Sequence, residues 1–222
     1  MNVRLIASSQ PRLSNIPDAE ALIVYAARVS NPVNQGNHDT GERLLRYCIR
    51  NGHWSVFETA SMTLEITTSR AIAAQILRHR SFTFQEFSQR YACASDFESV
   101  ELRKQAESNR QSSSEVIDNE KLKREVREYL CDAVDNYNYL IEKGVARECA
   151  RMILPLATQT TLYMTGSVRS WIHYFEQRRS DHAQKEHRQV ADAAWEIFRA
   201  EFPTISEAIT EESSAVVPTV KD

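Results

Sequence analysis

Glycine is scarce in this chain, and its positions limit the ways in which the fold could bind a nucleotide. The 222 residues include 5 glycines, at positions 36, 41, 52, 144 and 166. These positions complete neither a G-x-G-x-x-G fingerprint nor a Walker-type loop, the two common devices that wrap backbone N–H groups around a phosphate. If the chain binds a nucleotide, side chains must hold its phosphates.

Apolar residues recur at helical spacing over most of the chain and alternate with polar residues in short segments. Helices are predicted at residues 17–29, 42–51, 69–80, 119–143, 169–178 and 181–200, with a short helical segment at 145–154 that ends before Pro155. Strands are predicted at 61–67 and at the threonine-rich 158–165, extended or irregular chain at 81–91, and a variable polar loop at 105–119. The pattern predicts an α+β fold, a mostly helical single domain (1–222) around a small, largely antiparallel sheet.

Residues at the predicted helix ends have the types that cap helices. Three N-termini carry candidate caps: Asp39 with Glu42 and Asp181 with Gln184, each spaced as a capping box, and Ser69. Gly52 and Gly144 follow two of the predicted helices, at the position where glycine commonly ends a helix.

Arginine outnumbers lysine by 21 to 6 on a chain whose net charge is -3. A guanidinium grips a phosphate or carboxylate through two parallel hydrogen bonds, so the excess favours local anion sites, although codon usage or adaptation to heat explains it equally well. The sequence pI of 6.1 argues against a nucleic-acid partner, because nucleic-acid-binding domains usually have a pI above about 9.

Cysteine usage and apolar run length indicate the compartment. Four cysteines are far apart and are predicted to be buried free thiols, without a structural zinc site or a disulfide framework: Cys48, Cys93, Cys131 and Cys149. No window approaches the roughly 20 apolar residues of a membrane span, and the N-terminus lacks a signal-peptide core. We therefore expect a cytoplasmic protein without a membrane partner.

The densest chemistry lies between residues 78 and 91. Arg78 and Arg80 flank His79 and offer about ten N–H donors, enough for a pyrophosphate or a carbonyl-rich ring. A salt-bridged helix end, with His79 capping the last carbonyls, is the structural alternative.

Further along, an extended chain would project Glu86, Ser88 and Arg90 from one face, as a recognition surface for a polar ligand. No sequence pattern supplies a base that would make Ser88 a nucleophile. Two histidine–carboxylate pairs at helical spacing are weaker candidates for metal ligands: His173 with Glu176, and His182 with Glu186.

These residues carry a family resemblance. Arg78-His79-Arg80, followed after seven residues by Ser88, is the R-H-R-x7-S signature of the flavin-dependent thymidylate synthases, and the peptide at 85–91 resembles the same family. Further blocks follow in family order over about residues 17–200: Gly52-His53, Phe57-Glu58, Gln75, Gly144-Val145, Arg147-Glu148, Ala150-Arg151, Leu154-Pro155, Arg169-Ser170, and Arg178 with His182-Ala183-Gln184. A chance match of one motif is conceivable, but a match of so many ordered blocks is not.

The resemblance implies an enzyme, a methyltransferase that converts dUMP to dTMP in thymidylate biosynthesis. The carbon donor is then 5,10-methylenetetrahydrofolate, which yields tetrahydrofolate, and NADPH is the reductant that acts through bound FAD. No enzyme cysteine need attack the pyrimidine. The family also implies a homotetramer, in which segment 86–90 serves the active site of a neighbouring subunit.

Site residues follow from the resemblance position by position. The implied flavin contacts are Ser55, Arg78, His79, Arg80, Ser81, Glu86, Ser167, Val168, Arg169 and His173. The implied dUMP contacts are Gln75, Ile76, Leu77, Arg78, Glu86, Phe87, Ser88, Gln89, Arg90, Arg151 and Arg178. Arg178 is expected to be catalytic, because a fixed cation beside N3 of uracil stabilises the ring anion, and His53 is expected to support the flavin. No metal is implied.

Some positions depart from the commonest family pattern. Gln85 and Ser167 each stand where asparagine is frequent, and His187 interrupts a usual Glu-Ile-Arg. Serine has a shorter reach than asparagine, so the Ser167 contact is the least secure of the flavin contacts. A purely structural helical scaffold would explain the long helix at 119–143 but not the ordered polar blocks.

Overall fold

A four-stranded antiparallel sheet carries the fold. A computed structural model describes residues 1–89, 96–107 and 109–215. Its strands are β1 (Asn2–Ser8), β2 (Ser61–Ser69), β3 (Thr83–Glu86), β4 (Arg103–Gln105), β5 (Ser113–Val116) and β6 (Gln159–Ser167). The sheet order is β1-β2-β6-β3, and β4 and β5 form a separate hairpin. Strands β2 and β6 pair over their whole length, with Ser61 opposite Ser167 and Ser69 opposite Gln159.

Helices make up most of the remaining described chain. They are α1 (Ala19–Ala27), α2 (Gly41–Arg50), α3 (Arg70–Ile76), α4 (Glu120–Glu142), α5 (Arg147–Ala150), α6 (Val168–Arg178), α7 (Lys185–Glu201) and α8 (Pro203–Ala215). Short 3-10 turns lie at Pro32–Asn34, Trp54–Glu58 and Arg151–Ile153. No helix of the described residues is long and apolar enough to cross a bilayer.

The core lies against one face of the sheet. The alternate residues Met62, Leu64 and Ile66 of β2 are buried, and cross-strand partners Leu162 and Met164 of β6 continue the same apolar face. Large buried side chains of the helices cover it: Ile72, Trp171, Tyr174, Phe175, Phe198 and Phe202. This alternation is the period of two that the sequence predicts for a half-buried strand.

The opposite face of the sheet is polar. Thr63 and Thr165 share a hydrogen bond of 2.9 Å between their hydroxyls, and Thr67 and Thr161 share one of 3.0 Å. Such cross-strand pairs satisfy both partners without apolar burial. One-sided burial therefore sets which residues of β2 and β6 belong to the core.

Gly166 lets an aromatic ring rest directly on strand β6. A Cβ atom at this position would lie 2.5 Å from two atoms of the Phe82 ring. Phe82 also packs edge-on against Trp171, with ring centroids 4.8 Å apart. Through this contact the turn after α3 is held beside helix α6.

Most predicted elements are present, with shifted ends. The helices predicted at 17–29, 42–51, 69–80 and 119–143 correspond to α1, α2, α3 and α4, and the two predicted strands to β2 and β6. Gly52 and Gly144 follow α2 and α4 with positive φ, as expected for helix-ending glycines. The predictions lacked β1, α8 and the hairpin β4–β5, and so were wrong to leave 105–119 as a loop throughout.

Both predicted capping boxes are wrong. Helix α2 begins after Thr40 rather than Asp39, and Glu42 instead forms an ion pair with Arg46 one turn further on. Helix α7 begins after Gln184, without a side-chain cap, because Asp181 accepts a hydrogen bond of 2.6 Å from Arg188. In both cases an ion pair uses the side chain that the capping box requires.

Two other local predictions need correction. Ser69 occupies the N-cap position of α3, but its side chain makes no capping hydrogen bond. Cys48 is a buried free thiol as predicted, whereas Cys131 and Cys149 are free but exposed. Cys93 lies outside the described residues.

Candidate active site

The ends of two helices meet at the predicted signature. Helices α3 and α6 directly follow β2 and β6, and because these strands are antiparallel the helices start from opposite ends of the sheet. His79, three residues after α3, lies beside Arg178, the last residue of α6. Arg178 donates from Nε to Nε2 of His79 at 2.9 Å. Two residues that are 99 positions apart in sequence thus form one pair.

The Arg178–His79 contact fixes the protonation of the histidine. A guanidinium has only donors, so Nε2 of His79 must keep its lone pair and the proton must lie on Nδ1. Burial, and then the positive charge of Arg178, lower the pKa of His79 from 6.5 to about 4. His79 is therefore a neutral acceptor near pH 7, packed edge-on against Tyr174 at 5.0 Å between ring centroids.

Arg178 keeps its charge without a carboxylate partner among the described residues. The ion pairs of that part of the chain include other arginines, such as Arg179 with Asp192 at 2.9 Å, but none includes Arg178. A partly buried cation that faces a neutral histidine is an electrostatic site for an anion, because nothing nearby neutralises it.

A chain of hydrogen bonds extends behind this pair. Nδ1 of His187 lies 3.2 Å from Oε1 of Gln75, and Nε2 of Gln75 donates to Oε1 of Gln184 at 2.7 Å. Nε2 of Gln184 donates to Glu186 at 2.9 Å. Arg103 of β4 holds the other oxygen of Glu186 at 2.7 Å. We call the series Glu186, Gln184, Gln75 and His187 the amide chain.

Sequence reasoning identified Gln75 but missed the part that His187 plays. His187 is completely buried, and its ring centroid is 6.1 Å from that of His79. It occupies the apolar stripe of α7 that includes Val190, Ala191 and Ala194. A histidine within an apolar stripe is the signal that could have indicated a buried polar contact.

The arginines of the signature point away from the core. Arg78 and Arg80 are exposed, and within the described residues neither has an ion-pair or hydrogen-bond partner through its side chain. The carbonyl of Ser81 accepts a hydrogen bond of 3.0 Å from Ser170 on α6. The predicted alternative, a salt-bridged helix end, is therefore not what the described residues form.

Several predicted flavin residues collect at a second patch. The Trp54 ring lies 5.4 Å from that of His173, and Arg169 donates to Glu58 at 3.1 Å. Ser55 and His53 are exposed in the adjoining 3-10 turn and its N-cap. The structure thus brings together the turn Trp54–Glu58 and the first half of α6.

Some other predicted contact residues have side chains that cap a helix or pack in the core. The Ser167 hydroxyl caps α6 by accepting from the Ser170 amide at 3.3 Å. Val168 and Ile76 are fully buried in the core, whereas Leu77 is exposed. Any ligand contact of Val168 or Ile76 thus depends on the backbone, because their side chains are covered.

Residues 86–89 lie at the end of the edge strand β3. Glu86 accepts a hydrogen bond of 2.9 Å from Thr160 and lies 3.5 Å from Arg70. Phe87 is exposed, Ser88 is partly buried and Gln89 is buried. Arg90, predicted to share a face with Glu86, lies outside the described residues.

Arg151 stands apart from the signature, in the 3-10 turn that follows α5. Its Nε donates to the carbonyl of Glu148 at 3.4 Å, and no carboxylate of the described residues pairs with it.

The histidine–carboxylate pairs have ordinary partners. His173 lies 3.1 Å from Glu176, and Glu186 belongs to the amide chain. Over residues 1–89, 96–107 and 109–215, no three His, Cys, Asp or Glu side chains gather as a metal site requires.

The fold is α+β and its candidate site holds a partly buried arginine paired with a histidine, and comparison with known proteins identifies the family. The family model described as thymidylate synthase complementing protein matches residues 12–204. The chain is 51% identical over 213 residues to a probable flavin-dependent thymidylate synthase of Paramecium bursaria Chlorella virus 1, covering 94% of this chain and 99% of the relative. It is 50% identical over 216 residues to the flavin-dependent thymidylate synthase of Synechocystis, with the same coverage.

A solved structure agrees. The chain is similar to the UMP/dUMP methylase PolB of Streptomyces cacaoi, solved with 5-Br dUMP, at a TM-score of 0.80 and 28% identity over 95% of this chain and 94% of that one. The chain belongs to the flavin-dependent thymidylate synthase family. The family predicted from the sequence is thereby confirmed.

Proposed function

We propose that this chain catalyses the FAD-dependent reductive methylation of dUMP to dTMP. The family's activity is flavin-dependent thymidylate synthesis, and the similar PolB structure is of a dUMP methylase with a dUMP analogue bound. We assign 5,10-methylenetetrahydrofolate as the carbon donor, which leaves as tetrahydrofolate, and NADPH as the reductant. The whole chain acts as a single catalytic domain, and we place the reaction in the cytoplasm.

The observation that carries the proposal is the uncompensated cation at Arg178. Methylation at C5 of uracil needs electron density in the ring, and loss of the N3 proton supplies it. A fixed guanidinium beside N3 stabilises that anion, and it does so more strongly in a partly buried site than in water. His79 holds Nε of Arg178, so the two terminal nitrogens stay available for the ring.

Neutral His79 has a clear role in this arrangement. If it were charged, it would repel Arg178 and could not accept its hydrogen bond. Because burial and Arg178 keep its pKa at about 4, the pair stays intact across the physiological range. His79 thus positions the cation, and Arg178 acts on the substrate.

The chemistry of the exposed donors fits FAD. Arg78 and Arg80 present two guanidiniums without described partners in the turn after α3, which suits the diphosphate of a dinucleotide. The patch of Trp54, His173 and Arg169 offers further aromatic and cationic groups. When bound, FAD supplies the redox chemistry and carbon transfer that no side chain here can perform.

A homotetramer completes the proposal. Large apolar side chains are exposed on helix α4 and in the chain that follows α5. They are Tyr129 and Tyr139 on the helix, and Met152, Ile153 and Leu156 after α5. Contiguous exposed apolar surface is typical of a subunit interface. We assign this face to contact between subunits, with segment 86–90 serving the site of a neighbour.

Spectroscopy of the purified protein tests the function. We expect a yellow protein, or one that FAD titration makes yellow, whose flavin is bleached by NADPH faster when dUMP is present. Deuterium carried by the reduced flavin should appear in the methyl group of thymine. A protein that stays colourless on titration with FAD, or that makes dTMP without transfer of flavin deuterium, contradicts the proposal.

A further inference from the structure

A buried histidine interrupts the apolar stripe of helix α7. His187 is completely buried in α7, and Nε2 has no hydrogen-bond partner among the described residues. An uncompensated buried polar atom costs roughly 1–3 kcal/mol, so an apolar residue would be easier to accommodate here. The histidine is explained if its other nitrogen, Nδ1, performs a task that an apolar side chain cannot.

The amide chain has a fixed direction, and Glu186 sets it. Burial alone would raise the pKa of Glu186, but hydrogen bonds from Gln184, a backbone amide and Arg103 outweigh burial and lower it. The ionised carboxylate can only accept, so Gln184 must donate its amide nitrogen and present its oxygen to Gln75.

The direction of the Gln75 amide also decides which ring nitrogen of His187 carries the hydrogen. Gln75 donates to that oxygen from Nε2, so its own oxygen faces His187 and must receive a proton. The hydrogen of His187 therefore lies on Nδ1, and Nε2 is the bare acceptor. Each amide in the series can point in only one direction once both ends are fixed.

One donor of the series is left over. The Gln75 amide nitrogen has two hydrogens, and only one is used by Gln184. Its oxygen is occupied by His187. Gln75 can therefore offer a ligand an N–H while its oxygen is turned toward buried His187, a polarity suited to a phosphate oxygen or a uracil carbonyl.

We propose that His187 is a positioning residue, which holds the amide of Gln75 so that it presents an N–H donor to an acceptor oxygen of dUMP. This inference rests on the proposed function, since it concerns the nucleotide of that reaction. Without the Nδ1–H donor, the Gln75 amide is held by Gln184 alone, so its N–H is aimed less firmly at the nucleotide.

The test measures dUMP affinity of the FAD-loaded protein by calorimetry for wild type and three variants. His187→Leu removes the donor, His187→Asn keeps an N–H two bonds from Cβ as in Nδ1, and His187→Gln moves the amide further out. We expect the Kd for dUMP to rise about 3- to 10-fold in His187→Leu and His187→Gln, as for loss of one hydrogen bond, and to return near the wild-type value in His187→Asn. KM for dUMP should rise in parallel, while kcat changes less.

A matched control separates positioning from packing. Val190→Ala removes fully buried apolar volume from the same helix, without touching the amide chain. It should lower the melting temperature and leave the Kd for dUMP unchanged. If His187→Leu fails to fold, the comparison of the Asn and Gln variants carries the test, because both keep a polar side chain.

A double-mutant cycle tests the route through Gln75. Gln75→Leu should weaken dUMP binding, and His187→Leu should weaken it no further in that background, because His187 acts only through Gln75. Deoxyuridine, which lacks the phosphate, distinguishes the acceptor: a His187 effect that persists with deoxyuridine assigns it to the base, and one that disappears assigns it to the phosphate.

Unchanged dUMP affinity in His187→Leu and His187→Gln, or additive losses in the cycle, would overturn this inference while leaving the proposed function intact. A wild-type holoenzyme that fails to bind dUMP would overturn both.

Discussion

Helices α6 and α4 bury very different shares of their side chains within the chain. Helix α6 has 11 residues and buries Trp171, Ile172, Tyr174 and Phe175 against the sheet and α7. Helix α4 has 23 residues, yet its buried residues are Leu130 and Tyr137, and its main contacts are with α5 and the turn Arg151–Ile153. The shorter helix is thus the one that is fully packed within a single subunit.

The difference separates catalytic positioning from assembly. A helix anchored over its length can hold a charged side chain at its end within a narrow range of positions, which electrostatic catalysis requires. A long helix with exposed aromatic residues gains most of its possible burial from another chain. The predictions below test each half of this contrast.

The largest effect is expected at the end of α6. Arg178→Ala should leave the protein folded but lower dTMP formation at least a hundredfold, about 3 kcal/mol of barrier, because the role proposed for this cation is to stabilise the uracil anion. Single-turnover kinetics with dUMP at saturation measure this directly.

Arg179→Ala is the control for that experiment. Arg179 is the next residue, pairs with Asp192 and lies over the Trp195 ring at 4.5 Å, so it tests the loss of one arginine at the same helix end. It should change turnover little. Near-normal turnover in Arg178→Ala, or equal losses in the two variants, would remove Arg178 from the reaction.

The packing beneath α6 is tested at Gly166. Gly166→Ala places a methyl group 2.5 Å from the Phe82 ring, so the ring and the turn after α3 must move. We expect a loss of about 1–3 kcal/mol in the free energy of unfolding, measured by urea denaturation. Gly36→Ala, where the nearest atom is 3.5 Å away, should change stability little, and equal effects at both positions would argue against the close approach.

The assembly half of the contrast is tested on α4 and after α5. Tyr129→Glu combined with Leu156→Glu places charges on two side chains that are each 70% exposed in the single chain. We expect the proposed tetramer to dissociate in analytical ultracentrifugation, and about a tenfold loss of activity at micromolar protein, because a neighbouring subunit completes the site in the proposed assembly.

Arg127→Glu, at an exposed position roughly 160° from Tyr129 around α4, serves as the control and should leave the assembly intact. If the double variant sediments as the wild type does, the exposed face of α4 is not the interface.

Some helices and strands could be predicted from the sequence, and others could not. Helix α4 and strands β2 and β6 were predictable because their apolar periods are long or clear, and Gly144 marks the end of the helix. Strand β1 was missed because it is an edge strand with five of its seven residues exposed, and so lacks a buried alternation. Helix α8 begins with Pro203, directly after α7, where the pattern predicts only an end.

The candidate site likewise has a part that could be predicted from the sequence and a part that could not. The Arg78-His79-Arg80 signature and the family could be recognised from sequence, because local motifs survive without knowledge of the fold. The His79–Arg178 pair and the amide chain could not, because they join residues about a hundred positions apart through the packing of α3 against α7. The contact of His187 with Gln75, rather than the residue type alone, indicates the role of this histidine.

A loss of stability in mild acid is expected from His79 and His187, which lie in the densely packed part of the molecule, whereas helix α4 contains no histidine. Burial lowers the pKa of His79 from 6.5 to about 4 and that of His187 to about 3, in each case with a contribution from Arg178. Between pH 6.5 and 4.5 the unfolded chain therefore binds more protons than the folded protein, and stability falls as pH falls, by up to about 1.4 kcal/mol per pH unit for each histidine. Glu20, whose pKa burial raises, acts in the opposite direction, so the informative quantity is the difference between wild type and His187→Leu. Urea denaturation from pH 7 to pH 4.5 should give a shallower decline for the variant, and parallel declines would show that His187 is not held neutral.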